Sequence, residues 1–208
     1  MSTVAELLQP VEADLDALLA DLRALIGAGH PILQAAAEHL FAAGGKRIRP
    51  GIVLLLSRAI APDGDLSPRH RRLAEITEMI HTASLVHDDV VDESALRRGQ
   101  PTANSLFGNA ASVLVGDFVY SRSFQMMVEA GSMRILEVLA EATNVIAEGE
   151  GMQLMNCHNP DIDEGAYLQV IRCKTAKFTI EFFNAIIICA KRKSFVAKGF
   201  NISERLST

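Results

Sequence analysis

Long stretches of apolar residues at helical spacing dominate this sequence and restrict its possible folds. Between residues 4 and 26, apolar side chains recur every three or four positions, which is the period of an amphipathic helix. The same spacing recurs over 31–43, 51–61, from Ser67-Pro68 to about Asp92, and over 102–130, 133–155 and 166–190. Breaks rich in Gly, Pro or Asn separate these segments, and no sustained strand alternation or hairpin signal occurs. The sequence therefore predicts an all-α bundle of long antiparallel helices.

Composition and charge narrow the class of protein. The chain has 208 residues, 49% of them hydrophobic, and the net charge of -5 argues against nucleic acid as a partner. An anionic substrate would need local cations or a metal ion. Three cysteines without a CxxC pair (Cys157, Cys173, Cys189) indicate reduced thiols. The acidic N-terminus is unlike a secretory signal, and no apolar run approaches the ~20 residues of a membrane span, so we expect a soluble, cytoplasmic protein.

Residues 85–100, LVHDDVVDESALRRGQ, place three aspartates in an apolar run. On a helix, Asp88 and Asp92 stack one turn apart, Asp89 lies about 100° around, and His81 is two turns back on nearly the same face. Like charges at this spacing cost stability unless something neutralises them, and clustered carboxylates suit Mg²⁺ shared with substrate phosphates. The alternative interpretation is a solvated, charged helix end.

Two basic clusters favour the first interpretation. GGKRIRP at 44–50 places Lys46, Arg47 and Arg49 after a glycine pair, where backbone can approach a ligand and guanidinium groups can grip phosphate. Alone, this stretch could equally be a helix start with solvated basic residues. Arg97 and Arg98 follow the aspartates as a second cationic pair. Acids for a metal and two basic clusters together describe a site for two phosphorylated ligands.

Four stretches of the chain resemble the trans-polyprenyl diphosphate synthases, and most closely their long-chain, octaprenyl diphosphate synthase-like branch. They are GGKRIRP (44–50), IHTASLVHDDVVDESALRRGQPT (80–102), NAASVLVGDFVYSRSFQMM (109–127) and NVIAEGEGMQLMN (144–156). The resemblance extends from about residue 30 to Lys177. It implies an isoprenoid synthase fold, with long helices around a deep central cavity, and a homodimer.

The resemblance also implies a role for each matching residue. The diphosphate of isopentenyl diphosphate would be bound by Lys46, Arg49, His81 and Arg98. Mg²⁺ on the allylic diphosphate would be held by Asp88, Asp89 and Asp92, with Asp88 and Asp92 as the catalytic pair. Arg97, Lys174 and Thr175 would hold the allylic diphosphate, and Lys174 would assist its departure.

The chemistry of such a reaction explains the mixture of charges. An allylic C–O bond ionises only if the departing diphosphate is stabilised, which metal ions and basic residues do electrostatically. The resulting cation needs an apolar pocket, the second substrate's double bond attacks it, and a proton leaves. By the same resemblance, the small Ala83 and Ser84 imply a long product, and Met127 and Leu139 are candidate floor residues of the cavity. For Met127, ordinary core packing is the alternative.

The resemblance weakens after Lys177. The family has a second aspartate-rich motif downstream of the Lys-Thr pair, and the printed sequence has no such motif. Residues 178–208 carry five Lys/Arg and two acids, whereas the rest of the chain is acidic. We therefore expect a polyprenyl synthase domain over 1–177 and a divergent segment over 178–208, and we interpret the chain as C-terminally truncated or frameshifted, with an incomplete fold.

Two functions remain in competition, and the basic clusters argue against a third. The first is an Mg²⁺-dependent prenyltransferase that condenses isopentenyl diphosphate with allylic diphosphates to make a long polyprenyl chain, such as the side chain of ubiquinone. The second is an inactive fragment or an auxiliary subunit that dimerises with a full-length synthase. The third, a class I terpene cyclase, would also use DDxxD, but it would not need the two basic clusters.

Overall fold

The structure, a computed structural model, describes residues 3–25, 30–42, 44–61, 65–157 and 159–189. It confirms the all-α fold class. The helices are α1 (Val4–Leu8), α2 (Glu12–Leu25), α3 (Pro31–Ala42), α4 (Ile48–Ile60), α5 (Pro68–Val91), α6 (Ala103–Phe107), α7 (Asn109–Glu129), α8 (Met133–Met155), α9 (Glu164–Ile171) and α10 (Lys177–Cys189). The chain divides into an N-terminal unit, residues 1–131, and a C-terminal unit, residues 132–208. None of the helices in the described part of the chain could span a membrane.

Capping residues fix where several helices begin. The side chain of Ser67 accepts a hydrogen bond from the backbone N–H of His70, and Pro68 occupies the first turn of α5, as the sequence predicts. Thr3 and Glu6 form a capping box at α1. At the starts of α8 and α9, the side chains of Ser132 and Asp163 accept hydrogen bonds from the backbone N–H groups of Ile135 and Ala166.

Three predicted helices are broken in the structure. A 3-10 turn at Gln9–Val11 separates α1 from α2, because Pro10 lacks the N–H that a continuous helix needs. Gly108, at φ 83, separates α6 from α7. A π-helical turn at Arg172–Ala176 lies between α9 and α10. The helical spacing in the sequence is preserved across each break, so the pattern did not reveal them.

The segment predicted as a loop after α5 contains a small antiparallel β pair. Strand β1 (Leu96–Arg97) pairs with β2 (Gln100–Pro101). Arg98 and Gly99 form the turn with positive φ angles of 55° and 79°. Arg97 therefore belongs to strand β1, whereas Arg98 lies in the turn that follows it.

Helix α5 is the centre of the N-terminal unit and packs most extensively against α7 and α4. Its inward residues are almost fully buried; they are Leu73, Ile76, Met79, Ile80, Ala83 and Val86. His87 packs over Gly116 of α7, where a Cβ would overlap the imidazole ring. Its Nε2 lies 3.2 Å from the Val113 carbonyl. His87 therefore packs against α7 and lies within hydrogen-bonding distance of its backbone.

A buried carboxylate ties three helices of the N-terminal unit together. Asp14 of α2 is 6% exposed. Its Oδ2 lies 2.6 Å from Nη2 of Arg58 in α4, and its Oδ1 lies 2.6 Å from Nη2 of Arg71 in α5. Two guanidinium groups thus compensate the desolvation of one carboxylate.

In the C-terminal unit, α8 packs against α10 and against the π turn. The rings of Phe178 and Phe182 meet edge to face, with centroids 4.3 Å apart. The predicted domain boundary after residue 177 falls at the start of α10 and stays a prediction; beyond Cys189 the predicted divergent segment lies outside the described residues. All three cysteines are free, as predicted.

Candidate functional site

A pocket of about 380 Å³ in the N-terminal unit gathers the predicted basic residues. Its walls come from the turn before α4, the middle of α5 and the turn between β1 and β2. The lining residues are Gly45, Lys46, Arg47, Ile48, Arg49, Glu78, His81 and Arg98. The structure thus brings together Lys46, Arg49, His81 and Arg98, and their role in binding a diphosphate stays a prediction.

The glycine pair allows the turn before α4 to approach Arg98 closely. Gly44 has φ 66, a conformation that glycine adopts without strain, and its carbonyl accepts a hydrogen bond from Nη1 of Arg98. A Cβ at Gly45 would overlap the same guanidinium group. Arg47, at φ 49, then precedes the first residue of α4. The motif therefore needs its glycines to dock the arginine.

Arg49 and His81, both half-buried, contact each other in the pocket. Nη1 of Arg49 lies 2.7 Å from Nε2 of His81. Burial, followed by the charges of Arg49, Arg98 and Arg97, lowers the pKa of His81 to about 3. His81 is therefore neutral at physiological pH, with Nε2 accepting from Arg49 and the proton on Nδ1.

Among the described residues that line this pocket, Glu78 is the single acidic one, and the sequence analysis did not select it. Burial raises the pKa of Glu78, while the charges of Arg49, Arg98 and Arg47 oppose that rise. Burial lowers the pKa of Arg49, and the charge of Glu78 partly offsets it. The available sequence signal was its position three residues before His81, on the same helical face.

The second aspartate of DDVVD is held by an arginine. Nε of Arg97 lies 2.9 Å from both carboxylate oxygens of Asp89, and Nη2 lies 2.7 Å from Oδ1. Asp89 is 5% exposed. The hydrogen bond to Asp89 is the main reason that the pKa of Arg97 is raised. In this structure Asp89 and Arg97 therefore form an ion pair with each other. Their predicted contacts with metal and allylic diphosphate remain predictions.

Asp88 and Asp92 lie at the C-terminal end of α5, one turn apart, as the sequence predicts. The N–H of Asp92 donates to the Asp88 carbonyl at 2.7 Å, and the residue Asp92 is exposed. Within the described ranges, no group of three His, Cys, Asp or Glu side chains is arranged to hold a metal ion. Two carboxylates still fit Mg²⁺, which is commonly bound by one or two carboxylates together with substrate phosphates and water.

A second, smaller pocket of about 70 Å³ connects these groups. It shares Arg47, Glu78, His81 and Arg98 with the larger pocket and also reaches Asp89 and Arg97. The basic cluster and the aspartate-bearing end of α5 therefore adjoin each other.

Thr102 and Asn104, which the sequence analysis did not select, hold the loop that carries the two arginines. Oγ1 of Thr102 donates to the Ser94 carbonyl at 2.7 Å. Nδ2 of Asn104 donates to the same carbonyl at 3.1 Å. These hydrogen bonds close the loop between α5 and α6 and fix the base of the β1–β2 pair.

Lys174 lies in the π turn of the C-terminal unit, and its partners are on α8. Its Nζ is 2.6 Å from Oε1 of Glu150 and 2.8 Å from Oε2. Oε1 of Gln153 accepts a hydrogen bond from the same ammonium at 3.1 Å. The backbone of Thr175 belongs to the π turn, whereas its side chain lies outside the described structure. The predicted roles of Lys174 and Thr175 stay predictions.

The four predicted chain-length residues are largely buried. Ala83 is fully buried on α5, and Ser84 is half-buried, with its hydroxyl donating to the His81 carbonyl at 2.8 Å. Met127 on α7 is 1% exposed, and Leu139 on α8 of the C-terminal unit is fully buried. Such burial fits ordinary core packing, so the role of all four in setting product length stays a prediction.

Comparison with known proteins identifies the class of this chain. The family model for polyprenyl synthetase matches residues 30–206, a range that includes most of the segment predicted to be divergent. A prenyl transferase of Synechocystis is 53% identical over 176 residues, which are 85% of this chain and 54% of that protein. The octaprenyl diphosphate synthase of Escherichia coli is 58% identical over 139 residues, or 67% of this chain and 42% of that one. The chain belongs to the polyprenyl synthetase family.

A solved structure supports the same assignment. The polyprenyl synthase of Caulobacter crescentus, complexed with calcium and isoprenyl diphosphate, is 42% identical and matches with a TM-score of 0.83. The match covers 90% of this chain and 56% of that one. The chain thus spans about half the length of the relatives that it matches.

Proposed function

We propose that this chain is a Mg²⁺-dependent prenyltransferase that condenses isopentenyl diphosphate with an allylic diphosphate. The observation that carries the proposal is the basic pocket. Three distant segments bring Lys46, Arg49 and Arg98 around a neutral His81, directly beside the aspartate-bearing end of α5. Such a pocket suits a diphosphate, because several fixed cations share its charge.

Isopentenyl diphosphate would occupy the larger pocket. Arg49 is oriented by His81, and Arg98 is oriented by the carbonyl of Gly44. Their forked guanidinium groups would bind the diphosphate oxygens, while Lys46 would add a flexible point charge. The Nδ1–H of neutral His81 can donate one further hydrogen bond without adding repulsion to the arginines.

The allylic diphosphate would be held at the carboxylate end of α5. Asp88 and Asp92 are the residues that would hold Mg²⁺, which when bound supplies positive charge to the departing diphosphate oxygens. A relative from Caulobacter is complexed with calcium, another divalent ion, and isoprenyl diphosphate. Arg97 would contact the same diphosphate while its Nε and Nη2 keep Asp89 neutralised. Lys174 would add a cation at the leaving group.

We further propose a long, octaprenyl-like product. Ala83 and Ser84 lie one turn before Asp88 and are small, so bulk at these positions does not shorten the space for the growing chain. Relatives named for octaprenyl and nonaprenyl products support a long chain. We expect Ser84→Phe to shorten the extracted product by one or more five-carbon units, whereas Ser84→Ala should leave its length unchanged.

We also propose a physiological setting and an oligomeric state. A long polyprenyl chain is suited to anchor a quinone such as ubiquinone, and the enzyme would act in the cytoplasm. A homodimer is supported by the exposed apolar residues Leu114 and Val128, which lie 14 positions apart on one face of α7. Light scattering of the purified chain would determine its mass, and Leu114→Glu should convert a dimer into a monomer.

The primary experiment is a condensation assay. The 208-residue chain would be incubated with Mg²⁺, labelled isopentenyl diphosphate and farnesyl diphosphate, and the extracted products would be sized. We expect a ladder that ends in long polyprenyl chains. Asp88→Asn should abolish it, whereas Asp65→Asn, which alters an exposed carboxylate outside the pockets, should not. A ladder that survives Asp88→Asn would overturn the metal role of that residue.

A second candidate function is an auxiliary subunit for a full-length synthase. The matched part of this chain spans about half the length of the relatives. This function predicts no product from the chain alone and co-purification with a complete synthase. Product from the chain alone would exclude it.

A further inference from the structure

The motif EGEGMQ of α8 resembles the family sequence but has no role in the reaction as proposed. Two of its residues, Glu150 and Gln153, lie one turn apart and converge on the ammonium of Lys174. Neither Glu150 nor Lys174 is fully buried, since their side chains are 25% and 28% exposed. A ligand can therefore reach the lysine without unfolding the site.

A third residue of the motif lets the π turn lie against α8. Gly149 is buried. A Cβ built there would lie 2.8 Å from the backbone nitrogen of Lys174 and 2.9 Å from Cβ of Cys173, closer than real side-chain contacts allow. The glycine therefore sets the close approach that places the Lys174 stem beside Glu150. Single π turns inside helices are frequent at functional sites.

The ammonium of a lysine contacts one particular ligand atom reliably only if neighbouring residues hold its side chain in place. Its ammonium is a point charge on a flexible four-carbon stem, which has many rotamers in solution. Glu150 supplies both carboxylate oxygens, and Gln153 fixes the direction of a further N–H bond. The neighbouring pair Lys177–Glu181, at 2.9 Å, is an ordinary i,i+4 contact within one helix; the Glu150–Lys174 pair instead joins two elements.

We propose that Glu150, with Gln153, is a positioning residue that holds the Lys174 ammonium where it meets the diphosphate of an allylic substrate. The inference rests on the proposed function, because Lys174 has a substrate only if the chain binds an allylic diphosphate. Glu150 acts through Lys174, and the lysine alone contacts the ligand.

The positioning is tested by the reactivity of individual lysines. The intact chain would be acylated briefly with a small water-soluble amine reagent, and each lysine would be quantified by peptide mass spectrometry. An ion pair shields an amine, so Glu150→Gln should raise the labelling rate of Lys174 by about two- to fivefold, the factor expected for one partly exposed pair. Glu181→Gln is the matched control and should raise the labelling rate of Lys177 only. An unchanged rate at Lys174 in Glu150→Gln would overturn the proposal.

The link to the substrate is tested by protection with inorganic pyrophosphate and Mg²⁺. Pyrophosphate should slow the labelling of Lys174 in the wild-type chain, while Lys177 serves as the internal standard. If pyrophosphate fails to protect Lys174 while Glu150→Gln still raises its reactivity, that result would count against the proposed function but not against the Glu150–Lys174 contact. Protection in the wild type with no effect of Glu150→Gln would count against Glu150 alone.

A kinetic comparison separates positioning from a structural role. If the chain condenses substrates, Glu150→Gln should lower kcat more than it raises KM, because the misplaced ammonium is needed at the leaving group. Glu181→Gln should change neither. If Glu150→Gln does not fold, Gln153→Ala removes another partner of Lys174 and should raise the labelling rate of Lys174 by a smaller factor. No change there would also contradict the proposal.

Discussion

Arg49 donates a hydrogen bond from Nη1 to Nε2 of His81 over 2.7 Å, so a permanent cation and an imidazole contact each other in the basic pocket. Such a contact requires the neutral imidazole, because a protonated ring has no lone pair to accept. Burial and three arginines lower the pKa of His81 to about 3. The pocket therefore keeps a hydrogen-bonding group among its cations without adding another charge.

The low pKa of His81 makes stability depend on pH in a defined direction. An unfolded histidine titrates near 6.5, so between pH 6.5 and about 3 the unfolded chain binds the extra proton. The contribution of His81 is complete above pH 6.5 and is lost as the pH falls towards 3. Between pH 7 and pH 5 the loss amounts to about 2 kcal/mol.

Denaturant unfolding of the wild type and of His81→Gln at both pH values would measure this contribution. Other groups titrate in both proteins, so their difference isolates His81. We expect the wild type to lose about 2 kcal/mol more than the variant on going from pH 7 to pH 5. Parallel losses would mean that His81 is protonated in the folded pocket.

The aspartates of DDVVD should separate into a structural and an exposed class. Asp89 is buried against Arg97 with three short contacts. Arg97→Ala would leave that carboxylate without its guanidinium partner, which should lower the free energy of unfolding by about 3 kcal/mol. Arg97→Lys should cost less, because lysine keeps the charge and loses the forked geometry.

Asp92→Asn is the control for the Arg97 variants. Asp92 caps the C-terminal end of α5, where a negative charge is unfavourable to the helix dipole. The substitution should therefore leave stability unchanged or raise it by up to about 0.5 kcal/mol, although we expect it to abolish condensation. Equal destabilisation by Asp92→Asn and Arg97→Ala, measured by thermal unfolding, would refute the distinction.

The buried ion pairs of Asp14 with Arg58 and Arg71 should stabilise the fold more than a similar ion pair at the surface does. Asp14→Ala removes a buried carboxylate and leaves Arg58 and Arg71 without their shared partner. We expect a loss of about 2 kcal/mol in the free energy of unfolding, because the hydrogen bonds of the buried carboxylate are lost while the partly exposed arginines return to water. Asp16→Ala breaks the contact with Arg47, in which Asp16 is 70% exposed, and should cost less than about 1 kcal/mol. Comparable losses of stability for Asp14→Ala and Asp16→Ala in denaturant unfolding would argue against the stabilising role of the Asp14 ion pairs.

Periodicity and motif chemistry predicted the fold class and the assembly of the basic residues, because each depends on local pattern. The start of α5 at Ser67-Pro68 and its end near Asp92 follow from capping and polarity. The family resemblance implied that Lys46, Arg49, His81 and Arg98 bind one diphosphate. The structure places all four around one pocket, and their binding role stays a prediction.

Features that depend on tertiary contacts were not predictable from the pattern. The π turn at Arg172–Ala176 preserves helical spacing, so nothing in the periodicity marks it. Glu78 and Glu150 look like ordinary polar positions on helices until the partners of Arg49 and Lys174 are known. The pairing of Asp89 with Arg97 depends on a turn whose positive φ angles are set by the loop around it.

Two glycines of α8 provide the last prediction, because they share a helix and differ in their surroundings. At Gly149 a Cβ would lie within 3 Å of the Lys174 backbone and of Cys173, whereas at Gly151 it would meet nothing within 4 Å. Gly149→Ala should therefore force the π turn away and cost about 1–3 kcal/mol. Gly151→Ala should stabilise the helix by up to about 1 kcal/mol, since alanine is the better helix former. Thermal unfolding of the two variants would show shifts of opposite sign, and a stabilising Gly149→Ala would contradict the close approach of α8 and the π turn.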